Sequence, residues 1–273
     1  MPVALMQRGH EIPVLDHGYV RLIDFMGSDE AIIEAARMST GRGFEGWEKD
    51  NKLLAFLYAN KHMTPFECGG EMMIEVQAPI MVFREWHRHR TQSYNEFSAR
   101  YAQMPDLHYV PEVSRIQKQS AMNKQGSGES LDEIYAEHVV AKIKDQQTEI
   151  YQFYDAWVQQ GVAKEVARLN TPVSRYSKMR AKTDLRNWLG FLMLRKAPNA
   201  QFEIRQYADA VGTLVQALWP RTYALFEEHD LHGVHLSRIE ARTVRNVMNG
   251  KMADTAGLDS KGIDALAKKL KEV

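Results

Sequence analysis

Residues 71–77 set Met72, Ile74 and Val76 against Met73, Glu75 and Gln77, the two-residue period of a strand with one dry face. A strand alone buries nothing, so this stretch obliges the chain to build a sheet and to cover it. Tyr19 to Met26, with Val20, Leu22 and Ile23 apolar, is the other stretch that reads as a strand. Pro79 then starts a helix, Ile80 to Arg90, and most of the remaining chain carries helical signals. Ser28 with Asp29 and Glu30 offers an N-cap and an acidic first turn for a helix through Ala31, Ile32, Ala35 and Ala36, ending near Ser39-Thr40-Gly41. A second amphipathic helix spans Trp47 to Lys61 and stops before His62-Met63-Thr64-Pro65, because the residue before a proline avoids the helical region. Ser130 with Glu133 three residues on reads as a capping box, opening a helix that Gly161 ends. Further helices are expected at Thr183–Lys196 and Gln201–His229, and a short peripheral one in the lysine-rich tail after Lys251 (Ile263, Leu266, Leu270). Residues 116–129 are polar and contain Gly and Ser, and they read as an exposed loop or insertion. The sum is a mixed α/β (α+β) protein, helix-rich, with a small sheet and no regular strand–helix alternation.

The 273 residues balance 35 Lys and Arg against 35 Asp and Glu, a formal net charge of zero with the 10 His neutral. Binders of nucleic-acid polymers usually carry a basic excess that releases counterions from phosphate, so the balance argues against that class. At 44% hydrophobic residues the chain can bury a sizeable core, which excludes general disorder. Apolar runs such as Ala78–Phe83 and Leu189–Leu194 fall far short of the roughly 20 residues a bilayer span needs. The N-terminus has Arg8 but no signal-peptide core, and Cys68 is the single cysteine, so a reducing cytoplasm is the expected compartment. Cys68 itself is expected to be a small buried residue near a strand start. No Gly-x-Gly-x-x-Gly turn follows a strand, and no Gly-Lys-Ser/Thr phosphate loop occurs.

The densest chemistry lies in Arg84-Glu85-Trp86-His87-Arg88-His89-Arg90 and the polar run through Tyr101 that follows it. Four arginines in that stretch (Arg84, Arg88, Arg90, Arg100) face two glutamates (Glu85, Glu96). Guanidinium forks suit phosphate because they bind two oxygens at once, and the tyrosines offer stacking faces. The plain alternative is a solvated basic helix end, where Arg and His meet the C-terminal dipole. A metal site at His87 and His89 is disfavoured, since alternate residues on a helix point to opposite sides. A polynucleotide-binding module that stacks bases on these aromatics is a third reading, and a purely structural helical assembly a fourth.

The run Arg88-His89-Arg90-x-x-Ser93-x-Asn95-Glu96-x-Ser98-x-Arg100-Tyr101 resembles the signature of the flavin-dependent thymidylate synthases at every specified position. Ala36-Arg37-Met38-Ser39 looks like that family's early Ala-Arg-x-Ser turn, and His62-Met63-Thr64-Pro65-Phe66-Glu67 resembles its His-x-Thr-Pro-Phe-Glu block. Glu165-Val166-Ala167-Arg168, Leu194-Arg195 and Ala200-Gln201-Phe202-Glu203-Ile204 follow in the family's order, so the resemblance covers roughly Tyr19 to Tyr223. It implies the family's α/β architecture over residues 1–230, with 231–273 as a C-terminal extension. It also implies a homotetramer whose active sites combine several subunits around FAD. The implied reaction is reductive methylation of dUMP to dTMP in de novo dTMP biosynthesis, with methylenetetrahydrofolate as carbon donor and NADPH as reductant. Several anions then share one pocket, which clustered arginines suit.

Carried over position by position, Arg88, His89 and Arg90 match the flavin-contacting triplet, joined by Ser39, Thr64, Glu67, Glu96, Asp184, Leu185, Arg186, Gly190 and Asn199. Asp184 stands where the family often has Asn, and Asn199 where some relatives carry His. Glu85, Trp86, His87, Arg88, Glu96, Phe97, Ser98, Ala99, Arg100, Arg168 and Arg195 match the dUMP positions, with Ala99 where glycine is common. Arg195 is the residue to which the resemblance gives activation: its family counterpart contacts uracil and favours the anionic ring. No metal is implied. Another flavin protein or nucleotide transferase on the same scaffold is the alternative within enzymes.

Overall fold

The computed structural model describes residues 6–120, 126–249 and 258–271. The middle of the expected 116–129 insertion and the first residues of the tail after Lys251 lie outside the described residues. The chain opens with β1 (Glu11–Val14) and β2 (Gly18–Gly27). α1 (Asp29–Arg37) follows, capped as expected by Ser28, whose hydroxyl accepts from Ala31 N. A 3-10 turn, Met38–Thr40, ends α1 at Gly41 in the left-handed region. Then come α2 (Trp47–Ala59), α3 (Thr64–Cys68), β3 (Gly70–Pro79), α4 (Ile80–Trp86) and β4 (Ser93–Glu96). A small hairpin, β5 (Gln117–Gln119) with β6 (Ser127–Ser130), occupies the expected insertion. The long α5 (Glu133–Gln159) and short α6 (Lys164–Ala167) precede β7 (Tyr176–Asp184), α7 (Leu185–Arg195), α8 (Phe202–Leu218) and α9 (Pro220–Phe226). α10 (Arg238–Met248) and α11 (Ser260–Lys271) end the described chain.

The main sheet is antiparallel in the order β1-β2-β3-β7-β4. β3 is its centre, and Met72, Ile74, Val76 and Ala78 on its dry side are wholly buried, as the alternation requires. Each of the larger three contributes about 1.5–3 kcal/mol by leaving water. α7 and α8 cover that side. Trp188 Nε1 of α7 donates to Met72 O at 3.0 Å and Tyr207 Oη of α8 to Gln77 O at 2.8 Å. Trp86 closes the layer, its ring centroid 4.5 Å from that of Phe191 and edge-on to Trp188 and Tyr207.

Several expectations are corrected. The helix expected over Ile80–Arg90 stops at Trp86, where the buried indole fixes the chain and His87 forms the C-cap. The helix expected from Thr183 begins at Leu185, and Thr183 and Asp184 instead end β7, a strand the sequence reading missed. Ser130 belongs to β6. Asp132 caps α5, while among the described residues a capping box forms at Ser237 with Glu240, at the head of the unanticipated α10. The helix expected over Gln201–His229 breaks at Trp219, because Pro220 has no N–H to continue it and starts α9. Cys68 is exposed at the end of α3.

The chain divides into two compact units, the first ending at Arg221 and the second beginning at Thr222. In the second, Lys269 Nζ of α11 meets Glu240 Oε1 of α10 at 2.6 Å, and Leu266 is buried. Among the described residues no helix is long and apolar enough to cross a membrane.

Candidate active site

Because Trp86 is locked in the core, the residues after it emerge at the sheet's edge. Trp86 Nε1 donates to Gln92 Oε1 at 2.9 Å, and Tyr94 Oη lies 2.7 Å from His89 O and 3.2 Å from Trp86 O. These bonds tie His87–Gln92 into a compact turn before β4 pairs with β7, with Asn95 opposite Arg180 and Glu96 opposite Met179. Burial of the Tyr94 phenol pushes its pKa up to about 12, so it is a fixed donor at neutral pH. The side chains of Arg84, Arg88 and Arg90 are at the surface and engage no carboxylate among the described residues.

Arg195 is the last residue of α7, where the helix dipole favours a cation. Its Nη1 donates to Glu85 Oε2 at 2.6 Å, its Nη2 to Glu85 O at 2.7 Å and its Nε to His89 Nε2 at 3.0 Å. The side chain is 14% exposed. Burial, with the adjacent Arg195 charge second, lowers the His89 pKa to about 4. The imidazole is therefore neutral at pH 7, and since Nε2 accepts, its proton sits on Nδ1. Of the five N–H groups of the guanidinium, three are committed to protein and two remain for a ligand.

A cavity of about 410 Å³ is bordered by Arg84, His87, Glu96, Arg168 and Arg175. Glu96 is oriented by Ser177, whose hydroxyl donates to Oε1 at 2.9 Å. Arg168 stands on the 3-10 turn Arg168–Asn170 that follows α6. Ser98 starts a turn, its carbonyl accepting from Tyr101 N at 3.1 Å and its hydroxyl from Arg100 N at 3.3 Å. Ala99 is buried with Met104, Tyr154 and Ala167, and Phe97 packs on that cluster. The methyl group that replaces the usual glycine thus fills a core contact. Arg100 reaches Glu165 at 3.0 Å in an exposed pair.

A third group gathers where α3 packs against α7. Arg186 Nη1 lies 2.5 Å from Glu67 Oε1. Asp184 caps α7, accepting from Asn187 N at 2.9 Å and from Asn187 Nδ2 at 2.6 Å. Its charge is thereby absorbed by the helix N-terminus, and Arg186 is balanced by Glu67. Gly190 is exposed, with no atom within 4 Å of where a Cβ would stand. Thr64 is exposed at the start of α3, and Ser39 is exposed on its 3-10 turn, donating to Ala36 O at 3.2 Å.

The structure does not bring every expected residue to these groups. Trp86 and Leu185 are wholly buried, so neither presents a surface to a ligand. Asn199 borders a separate cavity of about 680 Å³ at the head of α8, with Arg115, Gln201 and Arg205. His87 turns its ring to Tyr94, 4.8 Å away, and His89 to Phe191, 4.9 Å away, so the two histidines face different neighbours. Among the described residues no group of three or more His, Cys, Asp or Glu could hold a metal ion. The sequence reading did not single out Arg175. Its one available signal was its place directly before the alternation Tyr176, Lys178, Arg180, Lys182, itself unread as a strand.

A family model described as "Thymidylate synthase complementing protein" matches residues 21–221. A flavin-dependent thymidylate synthase of Thermus thermophilus is 44% identical over 253 residues, 92% of this chain and 91% of the relative. One from Wolbachia pipientis is 38% identical over 248 residues, 91% of this chain and 86% of the relative. Among solved structures, PolB from Streptomyces cacaoi, a UMP/dUMP methylase bound with 5-Br dUMP, superposes with a TM-score of 0.71 at 31% identity. The match covers 79% of this chain and 97% of that one.

Proposed function

Since the chain belongs to the thymidylate synthase complementing proteins, the family of the flavin-dependent thymidylate synthases, we propose that it catalyses the reductive methylation of dUMP to dTMP. Methylenetetrahydrofolate is the carbon donor, NADPH the reductant and FAD the flavin, and the reaction serves de novo dTMP synthesis in the cytoplasm. The working form is a homotetramer with sites shared between subunits, a reading supported by the exposed apolar side chains of Phe153, Val166, Leu169 and Val173. The synthase module is residues 1–230 and the extension 231–273, supported by a family match that ends at residue 221.

The observation that carries this reading is the fixed pose of Arg195. A carboxylate, a main-chain carbonyl and a neutral imidazole hold its guanidinium, so two N–H groups are aimed before any charge develops on a substrate. Such preorganised donors stabilise an anionic pyrimidine ring without having to move during the reaction. His89, being neutral, accepts from Arg195 and does not repel it. Glu96 and Arg168 flank the nucleotide, with His87 beside them, the Ser98–Arg100 turn offering main-chain N–H groups and a hydroxyl.

Arg88 and Arg90, unpaired with carboxylates among the described residues, fit a cofactor that carries a pyrophosphate, and the open space at Gly190 lets it approach α7. Ser39, Thr64, Glu67, Asp184 and Arg186 complete the residues that would hold it. When bound, the flavin supplies the reducing equivalents.

Purified protein should be yellow, and its flavin spectrum should bleach on adding NADPH. It should form dTMP from dUMP and methylenetetrahydrofolate. Arg195→Ala should fold and retain flavin yet lose turnover by roughly 100- to 1,000-fold, the usual loss for one preorganised donor. A protein that takes up no flavin would overturn the synthase reading, and full activity in Arg195→Ala would overturn the activation role.

A further inference from the structure

The cavity bordered by Arg84, Glu96 and Arg168 contains an arginine that the family signature does not account for. Arg175 has its main chain pinned on both sides: its N donates to Pro172 O at 3.1 Å, its carbonyl accepts from Ile80 N at 3.0 Å, and it forms an isolated antiparallel bridge with His108. The main chain is therefore fixed at this point beside the cavity. The guanidinium borders the same space as Arg84 and Arg168. Its Nε is buried without a hydrogen-bond partner among the described residues, and its Nη1 makes only a long contact, 3.4 Å, to Tyr176 O.

A buried donor on a permanent cation is costly to leave unmatched, the more so beside a second arginine. Burial and the neighbouring Arg168 both press the Arg175 pKa downward, opposed by the Glu96 charge. Among the described residues Glu96 is the one carboxylate bordering the cavity, and Ser177 already holds one of its oxygens. Three guanidiniums against one carboxylate make a space that calls for a dianion. The walls formed by Ile80, Phe83 and Pro172 suit an uncharged, partly apolar body attached to it.

We propose that Arg175 is a further nucleotide-binding residue, its guanidinium serving the phosphate of dUMP in the cavity it shares with Arg84 and Arg168. The assignment rests on the synthase reading above. It makes Arg175 a determinant of preference for the nucleotide over the free nucleoside, because 2′-deoxyuridine offers that guanidinium no anion. The fork geometry matters as well as the charge, since lysine is a point cation that cannot reproduce the planar guanidinium.

The test is equilibrium binding of dUMP and of 2′-deoxyuridine to flavin-loaded, full-length wild type, Arg175→Met and Arg175→Lys. Arg175→Met should weaken dUMP roughly 10- to 100-fold, the loss that follows removal of a charge-assisted hydrogen bond. Arg175→Lys should weaken it by less, and neither should change the affinity for deoxyuridine. Should Arg175→Met fail to fold, Arg175→Lys decides alone. Unaltered dUMP affinity in the folded variants, or an equal loss for both ligands, would overturn the assignment while leaving the synthase reading standing. Wild-type protein that ignores dUMP would overturn both.

Discussion

The hydrogen bond from Arg195 to His89 exists only while the imidazole Nε2 keeps its lone pair. In the unfolded chain a histidine takes up its proton as the pH falls through about 6.5, whereas in the folded protein His89 waits until about pH 4. Stability from this site is therefore complete above the unfolded value and is lost as the pH drops through that window. Melting temperature should fall between pH 6.5 and pH 4, and His89→Asn should flatten that part of the curve. A slope unchanged by the substitution would refute the assignment. Arg37, in the early Ala-Arg-x-Ser turn, pairs with Glu45 and with Asp50, which is wholly buried and also accepts from Glu45 N at 2.7 Å. Arg37→Ala should destabilise the fold by about 3–5 kcal/mol in urea unfolding, since it strands a buried charge. At this scale the sequence singled out Arg195, Glu85 and His89 as separate residues, and their mutual contact appears only in the fold. The sequence was silent where an arginine's meaning depends on a distant partner, as with Arg37 and Arg175. Cys68 was misread because proximity to a strand says nothing of which side of the preceding helix faces water.

β7 shows why elements can hide. Of its inward positions Met179, Ala181 and Thr183, the second is small and the third polar, which weakens the alternation, and its outward positions are Lys178, Arg180 and Lys182. Those cations make sense only across the ladder, where Lys182 meets Glu71 at 2.9 Å and Arg180 approaches Glu75 at 3.7 Å. The pairing joins segments about a hundred residues apart, which no local pattern can announce. β3, by contrast, was legible because a central strand has a fully dry face. The α7 cap is a testable case: Asp184→Ala should cost about 1 kcal/mol of stability, whereas Asp184→Asn should keep it, because the amide oxygen still accepts from Asn187 N. Urea midpoints distinguish the two. Gly27 ends β2 at φ +86°, and a Cβ there would lie 1.9 Å from Gly69 O. Gly27→Ala should therefore lower the melting temperature, by more than Asp184→Ala does.

For the whole molecule, the helix-rich mixed architecture followed from element periods, but the strand order β1-β2-β3-β7-β4 did not, because order is set by long-range contacts. Light scattering on the purified protein should give about four times the 31.4 kDa chain mass, and a monomer would refute the shared-site assembly. The signature segment runs into β4, the last strand of the sheet, four residues long and hydrogen-bonded to β7 alone. An outermost strand of this length can detach while the β2–β3–β7 core stays closed, so local opening there needs less free energy than global unfolding. Heat or denaturant should then dismantle the chemistry ahead of the fold: activity would vanish while circular dichroism still reported a native protein, with the amides of residues 93–96 exchanging first.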